Sequence, residues 1–412
     1  MITQIKLKDG IKLIIDNRGK TPKKLNGEFV DNGYKVISAL NVHNGSIDNQ
    51  EQIRYVNEEL YFKWQQIPIE RNDCFIASEG ASLGENAIWD SDEKIVLGQR
   101  LYALRLNINI IDPWYFALYM QTSLFKEQIF NVSTGSTVFG ISQPVLLNIK
   151  IFIPDIQTQR KIGILYKNLY RQLKRNDEMV QKLQVLAQAI YTHWFLQFEF
   201  PNDEGKPYKS SGGKMIWNDK LKRELPEGWE MKNIKELCDI TWGQCPDGNN
   251  ILPLDTKENN TIKYCSGAGD MRNGLLVDCQ AKTNASKRYA NKGDVLMSIA
   301  GSIGALTIVD EKISLGRAAM AFTPKKCTKL FAYLAIKSLV DRIKQVASGS
   351  IQKVINDNHI NDMNIPYNEI VFKMFEKYNG IIEEEIILSK ENQMLISLRN
   401  VLLPLLINNQ LQ

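Results

Sequence analysis

The stretch Asp92-Glu93-Lys94-Ile95-Val96-Leu97-Gly98 returns later in the chain as Asp310-Glu311-Lys312-Ile313-Ser314-Leu315-Gly316, with a single position changed and a basic residue, Arg100 or Arg317, close behind. Other pairs fall in the same order. Asp73 with Gly80 and Gly84 answers to Asp294 with Gly301 and Gly304; Lys35-Val36-Ile37-Ser38 before Asn44-Gly45 answers to Lys263-Tyr264-Cys265-Ser266 before Asn273-Gly274. Thr134-Gly135-Ser136 parallels Ser348-Gly349-Ser350, and Ile153-Pro154 and Ile365-Pro366 close the two units. A chain that repeats once at this length encodes two copies of one domain, with gaps where loops differ.

Each copy has short apolar runs such as Val36-Ile37, Cys74-Phe75-Ile76 and Val295-Leu296-Met297, broken by Gly, Asn and Asp, plus a helical stretch around Trp114 to Phe130. That pattern predicts a mixed α/β fold rich in turns. The period then switches to seven. Ile162, Leu165, Leu169, Gln172, Asn176, Met179, Leu183, Leu186 and Ile190 step by three and four, the spacing of a coiled-coil seam. A helix over 156–196 spans about 60 Å at the usual rise per residue. A second seam runs through Ile387, Met394, Leu398, Val401 and Leu405, where Pro404 is expected to end or kink the helix. A lone apolar stripe cannot bury itself, so the two helices are expected to pair antiparallel and hold the domains apart. Polar Gln172 and Asn176 on the seam are read as fixing register, with docking of a partner as the alternative. The expected order is domain 1 over 1–155, a spacer helix over 156–200, linker and domain 2 over 201–370, and a distal helix over 371–412.

The 412 residues suit two domains, and 44% hydrophobic with 24% charged residues is a globular composition. A net charge of +5 is too weak to indicate nucleic-acid binding by itself, so phosphate-binding groups must be local or come from a partner. Six cysteines without paired spacing suggest neither a zinc site nor a disulfide framework and suit a reducing cytoplasm. The start of the chain carries no apolar run of the length a membrane helix or leader needs.

Two alike domains on stiff helices suit two patches of a long regular ligand, and duplex DNA, repeating about every 34 Å, is the obvious one. Arg and Lys reach guanine edges while Asn and Gln reach adenine. The candidate contacts in the first domain are Arg18, Lys20, Lys23 and Lys24 around Gly19, and Asn41, His43 and Asn44 in the next turn. In the second they are Gln244, Asn249, Asn250, Arg272 and Asn273, with Gln352 and Lys353 after the Gly-Ser step. For each of these, an ordinary solvated surface residue is the competing reading. Lys94, Arg100, Lys312 and Arg317 read as duplicated, which suits phosphate contact or structure better than base choice.

Catalytic readings find little support. Magnesium held by the Asp-Glu-Lys triplets, as in a nuclease, is one reading, but they precede a glycine and read better as strand-connecting turns. The glycine turns lack the Lys-Ser/Thr of a phosphate loop, and His43, His193 and His359 have no companions at ligand spacing. Trp194-Phe195 is read as packing where helix meets second domain. No Asn/Asp-Pro-Pro-aromatic methyltransferase motif appears. A stand-alone DNA-modifying or DNA-cleaving enzyme is therefore the alternative, and a coiled-coil scaffold without DNA contact a third.

After the first long helix the chain reads Leu186-Ala187-Gln188-Ala189-Ile190-Tyr191-Thr192-His193-Trp194-Phe195, then Phe198-Glu199-Phe200-Pro201, Gly205-Lys206-Pro207-Tyr208-Lys209-Ser210-Ser211-Gly212-Gly213-Lys214-Met215 and Arg223-Glu224-Leu225-Pro226-Glu227-Gly228-Trp229. This resembles the central conserved region of type I restriction-modification specificity (S) subunits. The run Leu398-Arg399-Asn400-Val401-Leu402-Leu403-Pro404-Leu405-Leu406 resembles their distal conserved region, and the turns at Gly80 and Gly301 with the Gly-Ser steps resemble their target-domain signature. The short N-terminal lead departs from the family and suggests no extra proximal helix. The resemblance implies a split DNA site read one half per target-recognition domain, helices that set the gap and dock two methyltransferase (M) subunits, and endonuclease (R) subunits joining that core. It places S-adenosylmethionine, ATP and magnesium on the partners, leaves this chain without chemistry, and suits a cytoplasmic complex.

Overall fold

The computed structural model describes residues 2–47, 52–135, 139–219, 223–271, 274–347 and 355–407. It divides into two compact units, residues 1–173 with 395–412 and residues 174–394.

The first unit holds β1 (Thr3–Lys6), β2 (Ile11–Asp16), β3 (Tyr34–Ile37), β4 (Arg54–Val56), helix α1 (Glu58–Trp64), β5 (Cys74–Ala77), β6 (Asn86–Ile88), β7 (Ile95–Leu97), β8 (Leu101–Leu106), helices α2 (Pro113–Tyr119) and α3 (Ser123–Val132), and β9 (Lys150–Ile153). An antiparallel sheet runs β2-β8-β5-β6; a second runs β4-β3-β7, with β3 and β7 parallel; β1 pairs with β9. All four residues of β5 are buried, because both faces of its sheet are covered. Cys74 and Ile76, with Tyr102 and Leu104 of β8, join the core under α2, which contributes Trp114, Tyr115, Phe116 and Tyr119. Phe75 and Ala77, with Leu101 and Ala103, face Ile37, Ile95 and Leu97 of the other sheet. Asp112 starts α2 by accepting bonds from the Trp114 and Tyr115 amides, both at 3.0 Å, and Pro113 at the first helical position fixes the entry. The expected helical stretch from Trp114 to Phe130 is thus two helices, the second restarted by a Thr122 cap.

The long helix α4 covers Ile156–Tyr191. Arg171 on it clamps the Asp90 carboxylate at 2.7 Å, and Arg71 reaches the same group at 2.9 Å.

The second unit repeats the plan with β10 (Glu230–Asn233), β11 (Cys238–Trp242), β12 (Ile251–Pro253), β13 (Ile262–Cys265), β14 (Ala281–Thr283), β15 (Tyr289–Ala290), β16 (Val295–Ser298), β17 (Leu306–Ile308), β18 (Ile313–Leu315), β19 (Ala319–Pro324), helix α5 (Lys329–Ala347) and β20 (Asn364–Tyr367). Its four-stranded sheet runs β11-β19-β16-β17, its second β12-β14-β13-β18-β15 with β13 and β18 parallel, and β10 pairs with β20. The divided core recurs: Val295, Met297, Met320 and Phe322 lie with α5, whereas Leu296, Ala319 and Ala321 lie with the second sheet. Trp194 and Phe195 are buried here, the Phe195 ring 5.0 Å from Phe331 and 5.2 Å from Phe375. Phe200, stacked on Tyr208 at 4.7 Å, and Phe198, edge-on to Trp229 at 5.2 Å, extend that cluster through the segment that carries the family resemblance.

The distal helix begins later than expected. Asn368 caps a separate short helix α6 (Glu369–Phe375), a tight turn follows, and α7 covers Gly380–Ile407. It runs through Pro404, which therefore does not end it.

The seam between α4 and α7 differs from the expected one. On α4, Ile162, Leu169 and Asn176 are buried as expected, and Leu183 and Ile190 half-buried, as are Gln172 and its neighbour Leu173; elsewhere the intervening positions are Tyr166, Val180 and Ala187, each one residue beyond the expected Leu165, Met179 and Leu186. Leu165, Met179 and Leu186 are exposed. Both candidate sets step by three and four, and Tyr166 wins because its ring joins Trp114 in the first core, 6.2 Å between centroids. On α7, Ile387, Met394, Leu398 and Val401 are exposed, and the Leu405 side chain lies outside the described residues. The inward face instead carries buried Ile382, Glu385 and Asn392, then half-buried Arg399 and Leu403. Asn176 donates to Asn392 at 2.9 Å, Asn392 donates to Asp177 at 2.7 Å, and Leu403 packs on the core that holds Ile162 and Tyr166. These partners give an antiparallel pair whose register is marked by polar side chains.

Candidate nucleic-acid interface

In the first unit β2 and β5 end, and β8 begins, at one rim, as Tyr102 opposite Asp16 and Leu101 opposite Ala77 record. The basic loop after β2 is ordered by its own side chains. Arg18 holds Asp16 with two bonds, 2.9 and 2.8 Å, and its guanidinium lies 4.1 Å from the Tyr102 ring centre. The Asp16 bond is the main reason the Arg18 pKa rises. Lys20 donates to Asn17 at 3.1 Å and to the Trp64 carbonyl at 2.9 Å, bonds that staple the loop. Gln99 bonds the backbone of Gly19 and Lys20. Lys24 donates to the Gly19 carbonyl at 2.9 Å, and Lys23 is exposed.

The turn after β3 borders this rim, the Ala39 amide donating to the Gln99 carbonyl at 3.2 Å. Asn41, expected to contact bases, is buried there, accepting from the Ser38 amide and hydroxyl at 3.0 and 3.1 Å. Asp270, also buried, does the same for Ser266 at 2.6 Å in the second unit. Asn41 and Asp270 thus share one inward, turn-closing task. His43 bonds the Leu40 carbonyl at 2.9 Å; Asn44 is exposed, its amide on Glu85 at 2.7 Å.

The second unit builds the same rim. Gln244, two residues beyond Trp242 as Arg18 is beyond Asp16, is exposed, with its amide on the Leu315 carbonyl at 2.9 Å. Asn250 is half-buried in the turn before the extra edge strand β12. The Asn249 side chain, Arg272, Asn273, Gln352 and Lys353, and the Gly-Ser steps at Ser136 and Ser348-Gly349-Ser350, lie outside the described residues.

Backbone bonds fix the equivalence of the rims. Gly98 donates to Ile37 at 2.7 Å and Gly316 to Cys265 at 2.8 Å; Ser78 donates to Arg100, and Ile299 to Ala318, both at 2.9 Å. Arg317 therefore matches Gln99, and Arg100 matches Ala318, so the two arginines are not duplicates as the sequence suggested. What is duplicated is the ion pair between Lys35 and Glu93 at 3.0 Å and between Lys263 and Glu311 at 2.6 Å, where the Asp-Glu-Lys turns enter β7 and β18. Lys312 lies 4.3 Å over the Tyr289 ring. Among the described residues no three His, Cys, Asp or Glu side chains gather as metal ligands, and no helix is long and apolar enough to cross a membrane.

A fold built twice, with matching rims that carry different polar side chains, defines a modular recognition protein. The chain belongs to the type I restriction modification DNA specificity domain family, whose model matches residues 3–183 and 226–368. It is 22% identical to the type I restriction enzyme MjaIX specificity subunit of Methanocaldococcus jannaschii, over 74% of this chain and 70% of that one. It is equally 22% identical to the HindI specificity subunit of Haemophilus influenzae, over 83% and 87%. The fold is that of the S subunit of a type I restriction-modification system from M. genitalium, with a TM-score of 0.63 at 15% identity over 99% of this chain and 96% of that one. Its function is accordingly sequence-specific DNA recognition for a type I restriction-modification complex.

Proposed function

We propose that this chain selects DNA without performing chemistry on it, each domain reading one half of a split site through the rim described above. The observation that carries this is the pair of equivalent rims with unlike side chains: Arg18, Gln99 and Arg100 in one, Gln244, Arg317 and Ala318 in the other. A shared backbone with divergent edge groups is what reading two different sequences requires. Helices α4 and α7 set the gap between half-sites and dock two methyltransferase subunits, which hold S-adenosylmethionine; endonuclease subunits, with ATP and magnesium, complete a cytoplasmic complex. Docking is supported by apolar side chains that neither helix buries, among them Leu165, Met179 and Val185 on α4 and Ile387, Met394 and Val401 on α7.

Methylation mapping of cells with and without this chain tests the reading. A split adenine-methylated motif that disappears with the chain is expected, and an unchanged methylome would overturn it. Exchanging residues 1–155 for another target domain should alter one half of the motif and spare the other.

A further inference from the structure

Six described non-glycine residues have a positive φ. Asn26, Asn44, Asn72 and Asn260 are asparagines, which tolerate the left-handed region. Phe198, at φ +62°, is buried and held between Trp229 and Arg223. Arg100, at φ +63°, has no such support, since its side chain is 58% exposed. The fold does not demand the strain, because Ala318 makes the same backbone bond at the equivalent position without a positive φ. Strain kept at an exposed site, with no packing reason, is a signature of ligand contact.

The conformation sets the guanidinium over the glycine turn that follows β5. Nε stands 3.3 Å from Oε1 of Glu79, and Nη1 lies 3.5 Å from where a Cβ on Gly80 would sit. Glu79 thus engages the inner nitrogen and leaves the outer fork facing solvent. That fork matches guanine O6 and N7, while the carboxylate is the acceptor that the N4 amino group of a paired cytosine requires. Arg18, fastened to Asp16 and Tyr102 beside them, keeps the rim attractive to the DNA backbone despite the carboxylate.

We infer that Arg100 and Glu79 form one base-reading pair, specific for a G·C base pair in the half-site of the first domain. This assignment rests on the DNA-selecting role given above and adds a residue and a base to it. The second domain, with alanine in place of Arg100, does not make this contact.

The test combines methylation mapping of the intact complex carrying R100G, R100K or E79Q with thermal unfolding of the purified full chain. R100G should melt higher than wild type, since glycine accepts the positive φ freely, and should relax one position of one half-site, the preference there falling by about ten- to a hundredfold. R100K, lacking the planar fork, should relax the same position, and E79Q should relax it more weakly. A motif unchanged at every position in both arginine variants would overturn the assignment. So would a uniform loss across sequences with a shallower salt dependence, which is how a phosphate contact behaves. A wild-type methylome without a split motif would fell the role itself and this assignment with it.

Discussion

Glu385 sits on the inward face of α7, 2% exposed, where no acid is expected in an apolar seam. The groups facing it are Gln184 of α4, which donates a hydrogen bond, and Lys337 and Tyr333 of α5. Desolvation outweighs the help of Gln184 and Lys337 and pushes its pKa up to about 7 from an ordinary 4.5. A carboxyl whose folded pKa lies above its unfolded value stabilises fully below the unfolded pKa, and that stability is lost as pH rises through the folded pKa. Each unit of the window is worth about 1.4 kcal/mol, and relaxation around a charged Glu385 takes part of it back, leaving a loss of about 2–3 kcal/mol between pH 5 and pH 8. Gln in its place keeps a hydrogen-bonding partner for Gln184 and has nothing to titrate. Thermal unfolding of wild type and E385Q should therefore agree within about 0.5 kcal/mol at pH 4, diverge from about pH 5 upward and level off above about pH 7. By pH 8 the variant should melt about 4–12 °C higher, from the 2–4 °C per kcal/mol usual for a unit of this size. Asp177, whose pKa is likewise raised by desolvation, contributes with the same sign but is common to both proteins and cancels. Parallel melting curves across the whole pH range would refute the reasoning.

The asparagine pair on the same seam should behave as a unit: N176A or N392A alone should cost about 1–3 kcal/mol by taking the buried Asn176–Asn392 hydrogen bond from the amide that remains. The double variant should cost clearly less than the sum, with a coupling of about 0.5–3 kcal/mol in urea unfolding, and strict additivity would show that the bond does not hold the register. The duplicated turns give a contrasting expectation, because the Lys35–Glu93 pair is largely solvated. E93Q should cost at most about 1 kcal/mol and leave the methylated motif intact; abolished methylation at unchanged stability would reinstate the triplet as a functional site.

The two domains were legible because their repeat is written in residues that the backbone itself needs. Ser38 with Asn41 and Ser266 with Asp270 close the same turn, and Lys35–Glu93 and Lys263–Glu311 tie the same parallel strands. Those duplications mark structure, which is why Asn41, chosen as a base contact for its residue type, is found buried. Residue type says what a side chain is able to bind, whereas only the fold says which way it is turned. The one-place slip between Arg100 and Arg317 has the same root: matching the basic residues hid that Gln99 and Arg317 share a backbone position. Placing Arg100 opposite an alanine moves it from the shared framework to the part that distinguishes the domains, and no property of the sequence around it signals its positive φ.

The helices were misread for a different reason. An apolar pattern with a period of seven fits two seams when apolar residues stand side by side, as Leu165 and Tyr166, or Met179 and Val180, do on α4. The structure buries Tyr166 and half-buries Val180, leaving the first of each pair exposed. On α7 the inward positions Glu385, Asn392 and Arg399 recur every seven residues but are polar, so a search for apolar residues finds the opposite face. Polar layers in a helix seam cost stability and exclude slipped registers, where each would be buried without a partner. A one-heptad slip of α7 would move Asn392 from the level of Asn176 to that of Leu183 or Leu169. For a protein that reads two sites a fixed number of base pairs apart, a register locked this way is worth more than a better-packed seam. The apolar residues left outside, Met179 and Leu186 on one helix and Ile387 and Met394 on the other, are exposed because the polar layers, not they, define the seam.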